Sequence, residues 1–206
     1  MKSNSVMVFL IFGLICFSGC THSTGRKNAT KDTLDSSIST LGATETKSGD
    51  SLLIYDEFRS VFESGRYLCV ISYSNECPIA KSYIRTIKDL VRDYGDTIQF
   101  CLLDPGVGTR SISGLESLLF HDLTGVICRR FYIKVYPQAV VYNCLTREII
   151  YSGKIDDRVV SLGVISARAT KNYLSDVLAN VRLGKSNDVV SNEAIGCFVG
   201  PFEGEK

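Results

Sequence analysis

Two histidines and no Cys-x-x-Cys pair in 206 residues leave little from which to build a structural zinc site. Charge is equally sparse: the formal net charge is +1, with no basic stripe, so nucleic acid is a poor partner. The longest apolar run, Val6–Phe17, is too short for a comfortable membrane span. What the chain does have is a core and cysteines. Hydrophobic residues make up 45% and charged ones 22%, a balance that supports a real core and argues against overall disorder. The length suits one ordinary domain plus extras. The eight cysteines carry most of the remaining information.

Residues 1–19 have the order of an export signal: Lys2 as the positive end, Val6–Phe17 as the apolar segment, then small residues. Phe17-Ser18-Gly19-Cys20 resembles the lipobox of bacterial lipoproteins, although Phe17 stands where leucine is usual. The resemblance implies cleavage before Cys20, lipidation of Cys20 and anchoring to a membrane of the cell envelope, facing the periplasm or the exterior. The alternative is an ordinary secretory signal. Residues 20–50 are rich in Ser, Thr, Gly and Lys and read as a flexible tether, with a coil span of roughly 30 Å. Residues 51–206 then form the folded domain. Export places its six remaining cysteines in an oxidising compartment, where some can pair.

Cys77 stands out among them. An apolar strand, Tyr67–Tyr73, ends in Ser74-Asn75-Glu76-Cys77-Pro78, and a patterned helix follows over Ile79–Tyr94. Pro78 suits the first helical position, which puts Cys77 at the helix N-terminus, where unpaired N–H groups favour a thiolate. Cys77 is therefore the lead candidate for a reactive group. Glu76 beside it has two opposed effects: its charge raises the thiol pKa, yet its carboxylate can accept a proton. Thr97–Asp104 is a second buried strand, giving a parallel β–α–β unit. Helical patterns are expected at Leu115–Phe120 and Leu123–Phe131. A hairpin follows, with strands Ala139–Tyr142 and Arg147–Ser152, and the pattern Leu174, Val177, Leu178, Val181 marks a last helix. Cys69 and Cys101 lie in the strands, Cys128 on a helical face and Cys144 in the hairpin turn. Asp156-Asp157 reads as loop and cap chemistry rather than an acid/base dyad, and Arg168 as a guess for a residue that reaches the site.

This order resembles the thioredoxin-like fold, an α/β architecture with a central mixed sheet of four to five strands flanked by helices. Cys77-Pro78 matches the place of that family's nucleophile, and Val135-Tyr136-Pro137 matches its cis-proline site. NECPIAKSY (75–83), VYPQAVVY (135–142), YSGKIDDR (151–158) and IGCF (195–198) are similar to a bacterial redoxin-like family that pairs a Cys-Pro-Ile motif with a late Gly-Cys. The resemblance implies thiol–disulfide exchange on exported proteins, with Cys77 as nucleophile, Pro137 packed against it, and Ser74, Glu76 and Pro78 in support. Ala80 occupies the usual partner position, so the second thiol must come from elsewhere. Cys197 is the choice, either as a resolving cysteine or in a static staple. The expected partners are thiol or disulfide proteins and an electron donor, with no metal and no cofactor. Two other readings stay open. Ser74-x-x-Cys77 is similar to part of the peroxiredoxin motif, but Val70 and Pro137 stand where that family has proline and arginine. Cys77, Cys197 and His121 together are a possible Cu(I) set.

Overall fold

The computed structural model describes residues 46–106, 109–185 and 191–200, all within the unit Ala43–Lys206. The export signal, Cys20 and nearly all of the expected tether lie outside the described residues.

Helix α1 (Thr46–Phe62) starts inside the stretch read as tether and runs into β1 (Tyr67–Ser72). β1 reads as an unbroken apolar run because both of its faces are covered. Leu68 and Val70 enter one core, Cys69 and Ile71 the other. Next come α2 (Pro78–Ser82), α3 (Ile84–Tyr94) and β2 (Gln99–Asp104), which pairs parallel with β1. A 3-10 turn at Glu116–Leu118 leads into β3 (Leu119–His121), and α4 (Val126–Arg130) follows. β4 (Val135–Tyr136), β5 (Ala139–Asn143) and β6 (Glu148–Gly153) come next. The chain continues through β7 (Val159–Ser161), β8 (Val164–Ile165), α5 (Tyr173–Arg182) and β9 (Cys197–Phe198). The central sheet has five strands in the order β3-β2-β1-β5-β6; β1, β2 and β3 run parallel, and β5 and β6 pair antiparallel. Residues of α2, α3 and α5 fill the core on one face, and those of α1 and α4 the core on the other. This is the mixed α/β, thioredoxin-like arrangement expected from the order of elements.

Two local expectations are corrected and one element is new. The single helix over Ile79–Tyr94 is broken at Tyr83. There the Tyr83 N–H donates to the Ala80 carbonyl at 3.0 Å, and the Ser82 hydroxyl donates to the Ile79 carbonyl at 2.7 Å. Leu115–Phe120 is helical only as the single 3-10 turn Glu116–Leu118. Leu119 and Phe120 pair with Leu102 and Leu103 and close the sheet edge, so tertiary pairing overrides local pattern. The segment after Asp157, to which no element was assigned, forms the β7–β8 hairpin.

Phe58 is fully buried and holds α1 to the body. Its ring lies 5.3 Å from Phe62, 5.3 Å from Phe120 and 6.0 Å from Phe131. Phe58→Ala should therefore cost about 3–5 kcal/mol of stability, read as a lower urea midpoint with unchanged slope. An unmoved midpoint would mean that α1 contributes nothing to the fold.

Candidate functional site

Cys77 is placed by the way β1 ends. Tyr73 still bonds β2, its N–H donating to the Leu103 carbonyl at 2.8 Å, and then the chain turns. The Cys77 N–H donates to the Ser74 carbonyl at 3.2 Å, and the Glu76 N–H to the Ser74 hydroxyl oxygen at 3.1 Å. Ser74 thus serves the turn. Pro78 opens α2 as expected, and Cys77 is its N-cap, with φ −91° and ψ 113°. The Cys77 Sγ accepts the Ala80 N–H at 3.5 Å. Because α2 is only five residues long, this single N–H, rather than a long helix dipole, is the local stabiliser of negative charge on sulfur.

The Tyr136–Pro137 peptide bond is cis, and Pro137 is buried. The Cys77 Sγ lies 3.3 Å from the Tyr136 carbonyl oxygen. Two residues that the motif reading passed over hold this segment in place. The Ser72 hydroxyl donates to the Val135 carbonyl at 2.6 Å and accepts the Gln138 N–H at 2.8 Å. The Gln138 side chain accepts the Lys134 N–H at 2.9 Å and donates to Tyr132 and Ser152. The available signal was a hydroxyl ending an otherwise apolar strand.

Cys197 arrives from the other end of the chain. β9 pairs antiparallel with β4, Cys197 opposite Tyr136 and Phe198 opposite Val135, and the Val199 N–H donates to the Lys134 carbonyl at 2.9 Å. Gly196 makes this possible: a Cβ there would collide with the Tyr136 carbonyl. Gly153 gives the incoming tail the same close approach against the Asn192 backbone. Cys77 and Cys197 form a disulfide across 120 residues, with Cα atoms 6.1 Å apart. Cys77 is 2% exposed, whereas Cys197 is half-buried. Beside them opens a cleft of about 370 Å³, lined also by Ser74, Glu76, Gly106 and Phe198. Glu76 and Pro78 are exposed.

A second polar strand end shapes the other wall. Asp104 is fully buried, and its carboxylate accepts the Gly106 N–H at 3.0 Å and the Thr109 N–H at 2.9 Å. The Thr109 hydroxyl oxygen in turn accepts the Asn75 N–H at 3.0 Å, and Asn75 accepts the Tyr73 hydroxyl at 2.8 Å. Asp104 thereby fixes the loop that faces the cysteine turn. His121 Nδ1 faces Asp104 at 3.6 Å. Among the described residues no three His, Cys, Asp or Glu side chains gather closely enough to hold a metal ion, which removes the geometric basis for the copper set.

Asp156 and Asp157 serve different partners. Asp156 accepts the Tyr83 hydroxyl at 2.6 Å and Arg158 Nε at 2.8 Å. Asp157 bonds Thr170, which lowers its carboxyl pKa to about 2. Arg168 is exposed and lies in the segment after β8. The other cysteines are chemically quiet. Burial pushes the Cys69, Cys101 and Cys128 thiols far above their usual range, and it pushes half-buried Cys144 up to about 11.

No family model matches the chain, and no curated protein matches it. Solved structures do. A hypothetical protein from Sinorhizobium meliloti is 18% identical with a TM-score of 0.53, over 70% of this chain and 85% of that one. An uncharacterized conserved protein from Geobacillus kaustophilus is 16% identical with a TM-score of 0.57, over 69% of this chain and 81% of that one. Likeness at this identity carries the fold alone.

Two outcomes follow from the geometry. Gly196→Ala should drive the tail off β4 and leave Cys77 and Cys197 largely unpaired in a mildly oxidising buffer, as read by differential alkylation. Gly200→Ala, where a Cβ meets nothing within 4 Å, should leave the pair intact; equal behaviour of the two variants would contradict the close-approach argument. Among the unpaired cysteines of the described residues Cys144 should alkylate first, its rate rising about tenfold per pH unit up to pH 11, because only the thiolate reacts. Faster labelling of Cys69, Cys101 or Cys128 in the folded protein would contradict their burial.

Proposed function

We propose that the chain is a thiol–disulfide oxidoreductase of the cell envelope, with Cys77 as nucleophile and Cys197 as resolving cysteine. One observation carries the reading: the two cysteines meet at the Tyr136 carbonyl beside an open cleft, with Cys77 buried and Cys197 half-buried at its rim. A staple needs no cleft beside it.

The unequal exposure of the two sulfurs gives the cycle a direction. A thiolate of the electron donor, a dithiol, attacks the half-buried Cys197 Sγ. The S–S bond breaks, and Cys77 leaves as the thiolate, stabilised by the Ala80 N–H. The donor's second thiol then attacks the mixed disulfide, releasing Cys197. Two electrons have entered, and the donor leaves as a disulfide. With the bond broken, the two-residue β9 ladder can release the tail and uncover Cys77, whose thiolate attacks a substrate disulfide, forming a mixed disulfide and expelling one substrate thiolate. Cys197 attacks Cys77 Sγ, restores the internal bond and expels the second substrate thiolate, which takes up a proton. The Tyr136 carbonyl, 3.3 Å from Cys77 Sγ, accepts the S–H when Cys77 is protonated. Anchoring through Cys20, as the lipobox resemblance implies, would keep this chemistry at a membrane surface.

The test is to trap the intermediate. Cys197→Ser incubated with oxidised glutathione should accumulate a glutathione adduct on Cys77, seen by mass spectrometry. The unsubstituted protein should resolve the adduct, and Cys77→Ser should form none there and reduce no disulfide substrate. Undiminished reductase activity in Cys77→Ser would contradict the proposal.

A further inference from the structure

The β7–β8 hairpin is a sheet of its own, with no ladder to the central sheet. Val159 at the base is buried in the core, but neighbouring residues of a strand face opposite sides, and from Val160 outward both sides are bare. Val160 is 59% exposed, Leu162 62%, Val164 53% and Ile165 44%. Ser161 and Ser166 between them are exposed as well. At the tip, Gly163 has φ +81°, and a Cβ there would meet nothing within 4 Å. The hairpin is thus a projecting finger with aliphatic side chains on both of its sides.

Its base is closed by its own flanks and held to the body through Arg158, which bonds Thr86, and through buried Val159. The Ser166 N–H donates to the Arg158 carbonyl at 2.8 Å, and Asp157 accepts the Thr170 N–H at 2.8 Å. The Arg158 guanidinium bonds Asp156 and lies 4.3 Å from the Tyr83 ring centroid. The finger is therefore presented on a firm mount. Its charge is one-sided: from Val159 to Lys171 there is no Asp or Glu, and Arg168 and Lys171 are both exposed.

These features together select one kind of partner. A protein surface, or a second copy of the chain, would cover one side of a two-stranded finger and leave the other in water. A bilayer interface covers both sides at once, accepting aliphatic side chains at the acyl boundary and cations at the phosphate level. We infer that the β7–β8 finger inserts into the interface of a bilayer carrying anionic headgroups, with Leu162, Gly163 and Val164 innermost and Arg168 and Lys171 at the headgroups. The inference stands independently of the redox reading.

The chain has no tryptophan, so a single introduced one is an unambiguous reporter. Leu162→Trp tests the finger. Leu183→Trp, at a position 65% exposed at the end of α5, is the comparison. Both positions lie outside the core, and each variant is made in the full chain, so any lipid anchor delivers both to the membrane alike. With vesicles of phosphatidylglycerol and phosphatidylethanolamine, the Leu162→Trp emission should shift to the blue and be quenched several-fold by acyl-brominated lipid. The Leu183→Trp emission should stay water-like. Adding Arg168→Glu and Lys171→Glu to Leu162→Trp should remove most of the quenching. A water-like Leu162→Trp, or equal quenching of both reporters, would overturn the inference. So would a blue shift that grows with protein concentration in the absence of lipid, because a second copy would then be the occupant.

Discussion

The site depends on the approach of two backbones, Gly196 against the carbonyl of Tyr136. With no side chain at 196, the tail comes close enough to pair with β4, and that register sets Cys197 opposite Tyr136. The same carbonyl oxygen lies 3.3 Å from Cys77 Sγ. One peptide group therefore positions both sulfurs, from elements 120 residues apart in sequence. β9 is only two residues long, and a ladder that short holds little by itself. The disulfide and the close approach support each other.

Buried polar residues at the ends of apolar strands hold that carbonyl and the opposite wall. Ser72 ends β1 and ties down the segment through Val135 and Gln138, while Asp104 ends β2 and fixes the loop through Gly106 and Thr109. Burying a hydroxyl and a carboxylate is costly unless each is hydrogen-bonded. Here each is bonded to a loop whose position decides the shape of the cleft. The parallel strands deliver both anchors to the same end of the sheet, because β1 and β2 run in the same direction in near-equal register. Cys77 follows directly from that end.

Much of this was legible in the sequence because the relevant signals are local. The apolar runs at Tyr67–Tyr73 and Thr97–Asp104, the Cys-Pro step and the hairpin pattern each sit within a few residues of the element they define. The pairing of Cys77 with Cys197 was reached through motif resemblance, since spacing alone does not fix connectivity. Some of what was not legible depends on contacts far apart in the chain. Leu119 and Phe120 look helical until β2 offers an edge. The break at Tyr83 is local, but the apolar spacing runs through it unmarked. Ser72 acts through Val135 and Gln138 across the fold, and Asp104 and Gln138 through nearby loops; although Gln138 lies within VYPQAVVY, no motif gave any of the three a role. The finger was hidden for another reason: apolar residues at 160, 162, 164 and 165 that stay exposed break the usual link between apolar residues and a core.

The reduction potential of the Cys77–Cys197 bond tests the central claim most directly, measured by differential alkylation and mass spectrometry across a series of dithiol buffers. An exchange catalyst should titrate within the range of known oxidoreductases, about −120 to −270 mV. A potential below about −300 mV, where structural disulfides of secreted proteins lie, would contradict the account and leave the pair as a staple for the tail.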